Sequence, residues 1–530
     1  MWLVALVVML GVSLTASARP CATLQQEAVR RQSPATLKAD QARPMAESFI
    51  DHDTLPLRVH LENEGVRARA ELALDVLAEA WQLQVVEQGY PQPLRDEGEG
   101  GDDRIDVYIR GIGAFAGRTT RADDDTVDDV TAAYAFMEVN PALDDATFRQ
   151  TLHHEFAHLI HFAVDLRASL MWFEASAVLQ EALADPSSTG WAEDLDDFQA
   201  APNAPLTVDG IQWQAETFAP SFNEYGAAFF LLYLEHTYGD GDGELVKDLW
   251  LAARQGDAVD GNEPDFVDVL RDHVDDDLRD VIVAFASWRA LVSAWSVPGE
   301  GYALADDLGI DALLSTRRLT AGALGTPLTL SGAGRLYRGG CVVVEHNPAD
   351  DVDLVVEATA NEDGVELQVV AMQLEPGVSS SVTTSTASAD VSHAVAAIGG
   401  ETLVLSVCAP DMPDPDDALE PLDVVIELRR ADDVDEDAGA PSPEPEPTPE
   451  PTVSPEPPPN CGCQMGRRGS GKKDGPFAKI RPYVFLGMIT ISLLMMIVRG
   501  RRAMRRRKTF KGSSWSADQQ KNETKESPEK

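Results

Sequence analysis

A short motif rich in histidine and glutamate lies in the first third of the chain. The segment HHEFAH at 153–158 contains the pattern HExxH. Residues four apart lie on one face of a helix, so His154 and His158 can direct imidazole nitrogens at one Zn²⁺ ion. Glu155 would flank that ion, where a carboxylate can take a proton from an attacking water. The motif predicts a zinc site with His154 and His158 as ligands and Glu155 as general base.

A third zinc ligand must follow the motif, because catalytic zinc is held by three protein ligands and keeps one position open. The extended pattern HExxHxxGxxH is absent, since His161 stands at its glycine position and Val164 at its third histidine position. A glutamate from the next helix is the alternative. Glu174 and Glu181 stand about two helical turns apart on one face. Spacing alone does not choose between these two carboxylates.

The neighbours of Glu174 favour it as the third ligand. Trp172 and Phe173 would place apolar rings beside the metal, where a lower local dielectric strengthens the binding of a carboxylate. The small side chains at 175–177 would let this helix approach the HExxH helix closely. Glu181 lies about 10 Å further along the helix. We therefore predict Glu174 as the ligand and Glu181 as a supporting residue.

Three segments, in this order, resemble a known group of enzymes. They are HHEFAH at 153–158, WFEASA at 172–177 and EYGAAFFLLYLEHTYG at 224–239. Their succession resembles the gluzincins of the thermolysin-like type and is similar to a myxobacterial family of secreted metalloproteases, over residues 46–295. The resemblance implies a zinc metallopeptidase that acts on a peptide or protein substrate, with Glu174 as the third ligand.

The same resemblance implies a catalytic role for Tyr225. In gluzincins a tyrosine or histidine from a later helix often stabilises the oxyanion, and Tyr225 best matches that position. Packing of its ring within the helical region is an equally good interpretation. Of the other histidines, His161 favours a structural role over a hydrogen bond to the site. His153 lies off the ligand face and is not predicted to function.

Regular patterns around the motif predict a helical half followed by a strand half. Helices are predicted at 66–86, 146–164, 174–184, 224–236, 244–253, 264–273 and 276–293, and strands at 104–109 and 132–139. Asp144 or Asp145 can cap the HExxH helix. After residue 313, short alternating strands predict a β-sandwich at 314–432. The predicted fold class is α+β, with a thermolysin-like zincin domain at 46–300 (small sheet plus helices) before that sandwich.

Both ends of the chain carry targeting or membrane patterns. Residues 1–18 are typical of a signal peptide, except that no basic residue precedes the apolar run. A Pro/Glu-rich linker at 433–460 leads to a predicted transmembrane helix at 483–498 and a basic cytoplasmic tail at 499–530. The segment at 461–463, Cys-Gly-Cys, weakly resembles the myxobacterial C-terminal sorting signal. We expect a single-pass protein of the cell envelope whose catalytic domain lies outside the cytoplasm.

Five cysteines in an exported chain predict disulfide pairing. Cys341 opens one apolar run and Cys408 closes another, so we expect both on strands of one domain. We predict that they form a disulfide that contributes up to about 4 kcal/mol to stability. Cys21 is left without a predicted partner.

The charge of the chain excludes one class of function. With 43 basic and 88 acidic residues the formal net charge is −45, so binding of nucleic acid through a basic surface is not expected. The leading hypothesis is a membrane-anchored, extracytoplasmic zinc peptidase. The alternative is a cell-surface adhesion or binding protein that works through the β-sandwich and carries an inactive peptidase scaffold. The intact HExxH motif and its following glutamate argue against that alternative.

Overall fold

The computed structural model describes residues 21–23, 26–27, 42–96, 98–121, 125–127, 130–210, 212–213, 223–254, 264–292, 317–331, 334–360, 362, 364–374, 381–384, 390–415 and 418–433. The α-helices of this part of the chain are α1 (Arg67–Ala80), α2 (Asp145–Val164), α3 (Leu170–Ala184), α4 (Leu195–Ala200), α5 (Asn223–Gly226), α6 (Ala228–Tyr238), α7 (Glu244–Ala252), α8 (Phe266–His273) and α9 (Leu278–Ala290). The strands are β1 (Ser48–Asp51), β2 (Leu57–Leu61), β3 (Ile105–Ile109), β4 (Gly117–Arg121), β5 (Asp125–Val127), β6 (Val130–Ala132), β7 (Ala135–Val139), β8 (Arg318–Thr320), β9 (Leu328–Thr329), β10 (Leu336–Tyr337), β11 (Cys341–His346), β12 (Val352–Ala360), β13 (Gln368–Leu374), β14 (Ser381–Thr384), β15 (Asp390–Ala397), β16 (Thr402–Cys408), β17 (Pro421–Leu422) and β18 (Val424–Arg430).

The sheet of the helical half has five strands in the order β1-β2-β3-β7-β4. Its three central strands run parallel, and β1 and β4 pair antiparallel at the two edges. Every residue of β2, β3 and β7 is buried, as expected for parallel strands that are covered on both faces. α1 packs against β2, and α2 packs against β4 and β7. β4 is thus an edge strand beside the HExxH helix.

Side-chain caps set where the two helices of the predicted site begin. Asp144, one of the two predicted caps, accepts a hydrogen bond from the Thr147 N–H at 3.0 Å and starts α2. Ser169 accepts one from the Trp172 N–H at 3.2 Å and starts α3 four residues before the predicted position. α2 lies against α1, α3 and the sheet, so every side chain from 150 to 164 is buried.

Two sheets in the C-terminal half share one apolar core. Their strand orders are β14-β13-β16-β11-β8 and β15-β12-β18-β9. Alternate side chains from both sheets, such as Val356 and Leu405, meet in a common buried cluster. These two sheets, within residues 318–430, are called the double-sheet region below.

Helix α9 covers the outer face of the sheet β14-β13-β16-β11-β8. Val343, Val370 and Val404 belong to the apolar cluster that continues into the helical half, and α9 packs against β13 and β16. Because both faces of this sheet are buried, β11 and β16 consist mostly of consecutive apolar residues. Both halves therefore belong to one compact unit.

The predicted disulfide between Cys341 and Cys408 is confirmed. The two residues are directly opposite each other on β11 and β16, with their Cα atoms 4.0 Å apart. The bond therefore joins two adjacent strands of the sheet that faces the helices.

Replacing both Cys341 and Cys408 by alanine should lower the free energy of unfolding by about 3–4 kcal/mol. The bond joins positions separated by 67 residues, and such a cross-link removes much of the conformational freedom of the unfolded chain. Denaturant unfolding of the wild type and the double variant measures the difference. The reduced wild type should unfold like the double variant, and equal midpoints for the oxidised wild type and the variant would contradict the prediction.

The predicted transmembrane helix requires a correction. Across the described residues, no helix combines the length and the apolar character needed to cross a membrane. The segment at 483–498, the signal peptide at 1–18, the tail at 499–530 and all of the linker at 433–460 except its first residue lie outside the described residues. At 16 residues, the apolar run would give a helix of about 24 Å, shorter than the hydrocarbon layer of about 30 Å.

The predicted fold class and localisation are therefore wrong where they depend on that helix. The assignment to the cell envelope as a single-pass membrane protein is wrong, because no helix of the described residues could cross a membrane. The fold class is corrected from a zincin and sandwich carried on a membrane helix to a mixed arrangement of helices and sheets.

Candidate metal centre

Four buried side chains converge beside the middle of α2. They are Cys21, His154, His158 and Glu174, and one potential ligand atom from each lies within 4.8 Å of the others. None of the four is more than 5% exposed. α2 supplies both histidines, α3 supplies the glutamate, and a segment near the start of the chain supplies the cysteine. This group could hold a metal ion.

The two histidines of the HExxH motif and Glu174 face one another. The Nε2 atoms of His154 and His158 are 3.1 Å apart. The Glu174 carboxylate contacts both rings, with Oε2 3.1 Å from His154 Nε2 and Oε1 3.5 Å from His158 Nε2. Spacing of four residues on α2 thus turns both rings towards α3, where the small residues after Glu174 allow close packing.

Glu181 contacts His154 from the opposite side of its ring. Its Oε1 lies 2.9 Å from His154 Nδ1, and a carboxylate can only accept a hydrogen bond there. This contact places a proton on Nδ1 and directs the Nε2 lone pair towards Glu174 and His158. A carboxylate in this position orients a ligating imidazole and makes it more basic.

The chemistry of the remaining atoms fits a bound cation. Acceptor atoms that face one another at these distances repel unless a proton or a metal ion lies between them. His158 Nδ1 and Glu174 Oε1 also have no hydrogen-bond partner within the described part of the chain. Two imidazoles and a carboxylate that converge in this way form a donor set suited to a divalent metal.

The ionisation of the site agrees with this interpretation. Burial alone would lower the pKa of His154, but hydrogen bonds with Cys21, Glu174 and Glu181 raise it well above its ordinary value. Burial would raise the pKa of Glu174, but the charges and hydrogen bonds of His158 and His154 lower it to about 2. The carboxylate is therefore ionised at neutral pH. Without a metal, a proton on His154 supplies the positive charge that the group requires.

Glu155 lies beside the metal group and is completely buried. Its Oε2 accepts a hydrogen bond from Thr119 Oγ1 at 2.7 Å, and its Oε1 accepts one from Cys21 Sγ at 3.1 Å. β4 reaches this carboxylate because its first residue is Gly117. A Cβ at this position would overlap the Glu155 side chain and the methyl group of Thr151, so the close approach of strand and helix requires glycine.

Tyr225 also lies at the site. Its ring stacks on the His154 ring, with centroids 6.0 Å apart and planes 13° from parallel. Tyr225, Glu155, Glu181 and Trp191 help to line one pocket beside His154. The predicted helix at 224–236 is in fact two helices, because α5 ends at Gly226 and α6 begins at Ala228.

The remaining histidines of α2 lie outside the metal group. His161 stacks on Trp250, with centroids 4.3 Å apart, and burial lowers its pKa well below the ordinary value. Burial also lowers the pKa of His153 to about 4. Both rings are therefore neutral at physiological pH and packed in the interior.

Sequence analysis missed three residues of this site, namely Cys21, Thr23 and Thr119. Cys21 lies 134 positions before Glu155 in the chain, and no local pattern relates them. The available signal was that Cys21 had no predicted disulfide partner, since an unpaired cysteine in an exported chain indicates a reactive or ligating thiol. The two threonines carry no motif that distinguishes them from other threonines.

Comparisons with known proteins assign no family to the chain. No protein-family model matches it, and no curated protein matches it. Among solved structures, the pre-peptidase C-terminal domain of a collagenase from Bacillus anthracis matches 21% of this chain and 92% of its own, with 12% identity and a TM-score of 0.14. A likeness this small carries no argument about fold or activity. The resemblance to gluzincins therefore stays a prediction from the three motifs.

Proposed function

We propose that the chain is a zinc-dependent peptidase. His154, His158 and Glu174 would hold the metal, and Glu155 would act as general base. The observation that carries the proposal is the convergence of three acceptor side chains on one point, next to a buried glutamate on the same helix. Zn²⁺ is the favoured ion because two imidazoles and one carboxylate are typical ligands of catalytic zinc, whereas Mg²⁺ and Ca²⁺ prefer oxygen ligands.

A zinc ion in this site would polarise the scissile carbonyl and lower the pKa of water. Glu155 would hold the attacking water, take its proton and pass that proton to the leaving amine. Thr119 holds the Glu155 carboxylate at 2.7 Å, which fixes the direction of this transfer. Glu181 would orient His154 through Nδ1. Tyr225 lines the pocket, where its hydroxyl could donate to the developing oxyanion.

The position of β4 supports a peptide as the substrate. β4 is an edge strand, and its residues Gly117 and Thr119 lie next to Glu155. The free edge of such a strand pairs with an extended chain through main-chain hydrogen bonds. A peptide paired there would pass directly beside the general base.

Metal analysis of the purified protein tests this function. We expect one zinc per chain in the wild type and a loss of zinc in His154→Ala. His153→Ala is the matched control, because it removes the neighbouring histidine of α2 without touching the metal group, and it should keep its zinc. A wild type without zinc, or equal zinc in wild type and His154→Ala, would overturn the proposal. Zinc without cleavage of any peptide in a broad library, also after the activating substitution described below, would favour a binding protein.

A further inference from the structure

A segment near the start of the chain covers the candidate active site. Its described residues follow the free edge of β4. Ala22 N donates to the Gly117 carbonyl at 3.1 Å, and Thr119 N donates to Thr23 Oγ1 at 2.8 Å. Cys21 pairs with Gly117 in a parallel bridge. The segment therefore occupies the edge at which a peptide substrate would bind.

Two further contacts anchor this segment to the end of β4. Thr120 Oγ1 donates to Gln26 Oε1 at 3.2 Å. Arg121 and Glu27 form an ion pair at 2.9 Å in which both side chains are only 6% exposed. Removal of one partner from a buried ion pair strongly destabilises the folded state, because the other charge is left buried and unpaired. The segment is thus fixed to β4 by main-chain, hydroxyl and ionic contacts from Gly117 to Arg121.

The same segment engages both oxygens of the general base. Cys21 Sγ donates to Glu155 Oε1 at 3.1 Å, and Thr23 Oγ1 donates to Glu155 Oε2 at 3.2 Å. Both oxygens that would otherwise hold the attacking water are therefore already hydrogen-bonded to this segment. Cys21 Sγ is also one of the four potential ligand atoms that lie within 4.8 Å of one another. A catalytic metal needs an open fourth position, and the thiol lies where it would fill that position.

We propose that the described residues 21–23 and 26–27 form an internal inhibitor of this enzyme, with Cys21 as a fourth metal ligand. The inference rests on the proposed metallopeptidase function. The same thiol would then occupy the open metal position and one oxygen of the general base. The chain with this segment in place is the latent form, and release of the segment from β4 activates it.

Cobalt substitution tests the ligand role without reference to activity. Co²⁺ is loaded into the purified full chain, and the near-ultraviolet absorption of a thiolate–cobalt bond is recorded for the wild type and for Cys21→Ser. We expect the band in the wild type and its loss in Cys21→Ser, with equal cobalt content in both. Cys341 and Cys408 form a disulfide, and Cys461 and Cys463 are present in both proteins. Loss of the band in Cys21→Ser therefore identifies Cys21 as the thiolate ligand.

Peptide hydrolysis by the zinc forms tests the inhibitory role. We expect Cys21→Ser to be at least about tenfold more active than the wild type, because an inhibitor on the same chain acts at an effective concentration of about millimolar. Glu27→Ala keeps the thiol and removes the ionic anchor, and we expect activation that is smaller than that of Cys21→Ser. This second variant keeps the test decisive if Cys21→Ser folds poorly.

The outcomes separate this inference from the function on which it rests. Failure of the wild type to bind cobalt or zinc would overturn both. Metal binding without a thiolate band would overturn the role of Cys21 and leave the metallopeptidase standing. A band that is lost in Cys21→Ser, with hydrolysis unchanged in both variants, would overturn inhibition.

Discussion

Replacing Glu155 by glutamine should abolish peptide hydrolysis while the metal stays bound. Glutamine has the same shape and can still accept the hydrogen bond of 2.7 Å from Thr119 Oγ1, but it cannot take a proton from water. Loss of a general base typically lowers the rate by a factor of about 10²–10⁴. The measurement is hydrolysis together with metal content, in the Cys21→Ser background so that latency does not hide the effect.

Glu79→Gln is the matched control for this substitution. Glu79 is an exposed glutamate that pairs with Arg149 at 3.0 Å, and exposed ion pairs contribute little to stability. Its variant should keep both activity and metal. Hydrolysis unchanged in Glu155→Gln would show that another group is the base. Loss of the metal in Glu155→Gln would make Glu155 a ligand instead.

The second large effect concerns the two glutamates of α3. Glu174→Ala should lose most of its zinc, because both oxygens of Glu174 face the Nε2 atoms of His154 and His158. Glu181→Ala should retain zinc, because Glu181 contacts the opposite ring nitrogen of His154, Nδ1. Loss of such an orienting carboxylate typically weakens metal affinity about 10- to 100-fold. A competition titration with a chelator measures both affinities.

The two glutamate variants also control for each other. Both side chains are buried on one helix, with exposures of 0% and 3%, so general loss of packing would affect them alike. Circular dichroism and thermal unfolding verify that each variant is folded. Zinc retained in Glu174→Ala and lost in Glu181→Ala would reverse the assignment of ligand and orienting residue.

Local patterns predicted the parts of the site that depend on neighbours in sequence. The spacing of His154 and His158 defines one helix face, and Asp144 caps that helix as proposed. The small residues after Glu174 indicated the close contact between α2 and α3. The pairing of Cys341 with Cys408 followed from their places at the ends of two apolar strands. Each of these features can be predicted from the residues of one or two helices or strands.

Long-range contacts were beyond sequence reasoning for a physical reason. Cys21 reaches Glu155 only because its segment adds to the edge of β4, and edge pairing depends on the folded sheet rather than on any local preference. The second face of the sheet that contains β11 and β16 is buried against α9. The pattern of apolar residues within one strand does not show which helix covers that face. The membrane prediction was wrong, because it depended on a local apolar pattern and no helix of the described residues could cross a membrane.

The shared core of the two halves limits how this protein can be shortened or recombined. Val343, Val370 and Val404 lie in the apolar cluster that extends into the helical half. A fragment ending near residue 300 would expose the apolar side of α9 to water, and a free double-sheet region would expose the matching face of its sheet. Neither fragment should remain soluble alone. The halves must then be inherited together, and an exchange of either one between related proteins requires compensating changes across this contact.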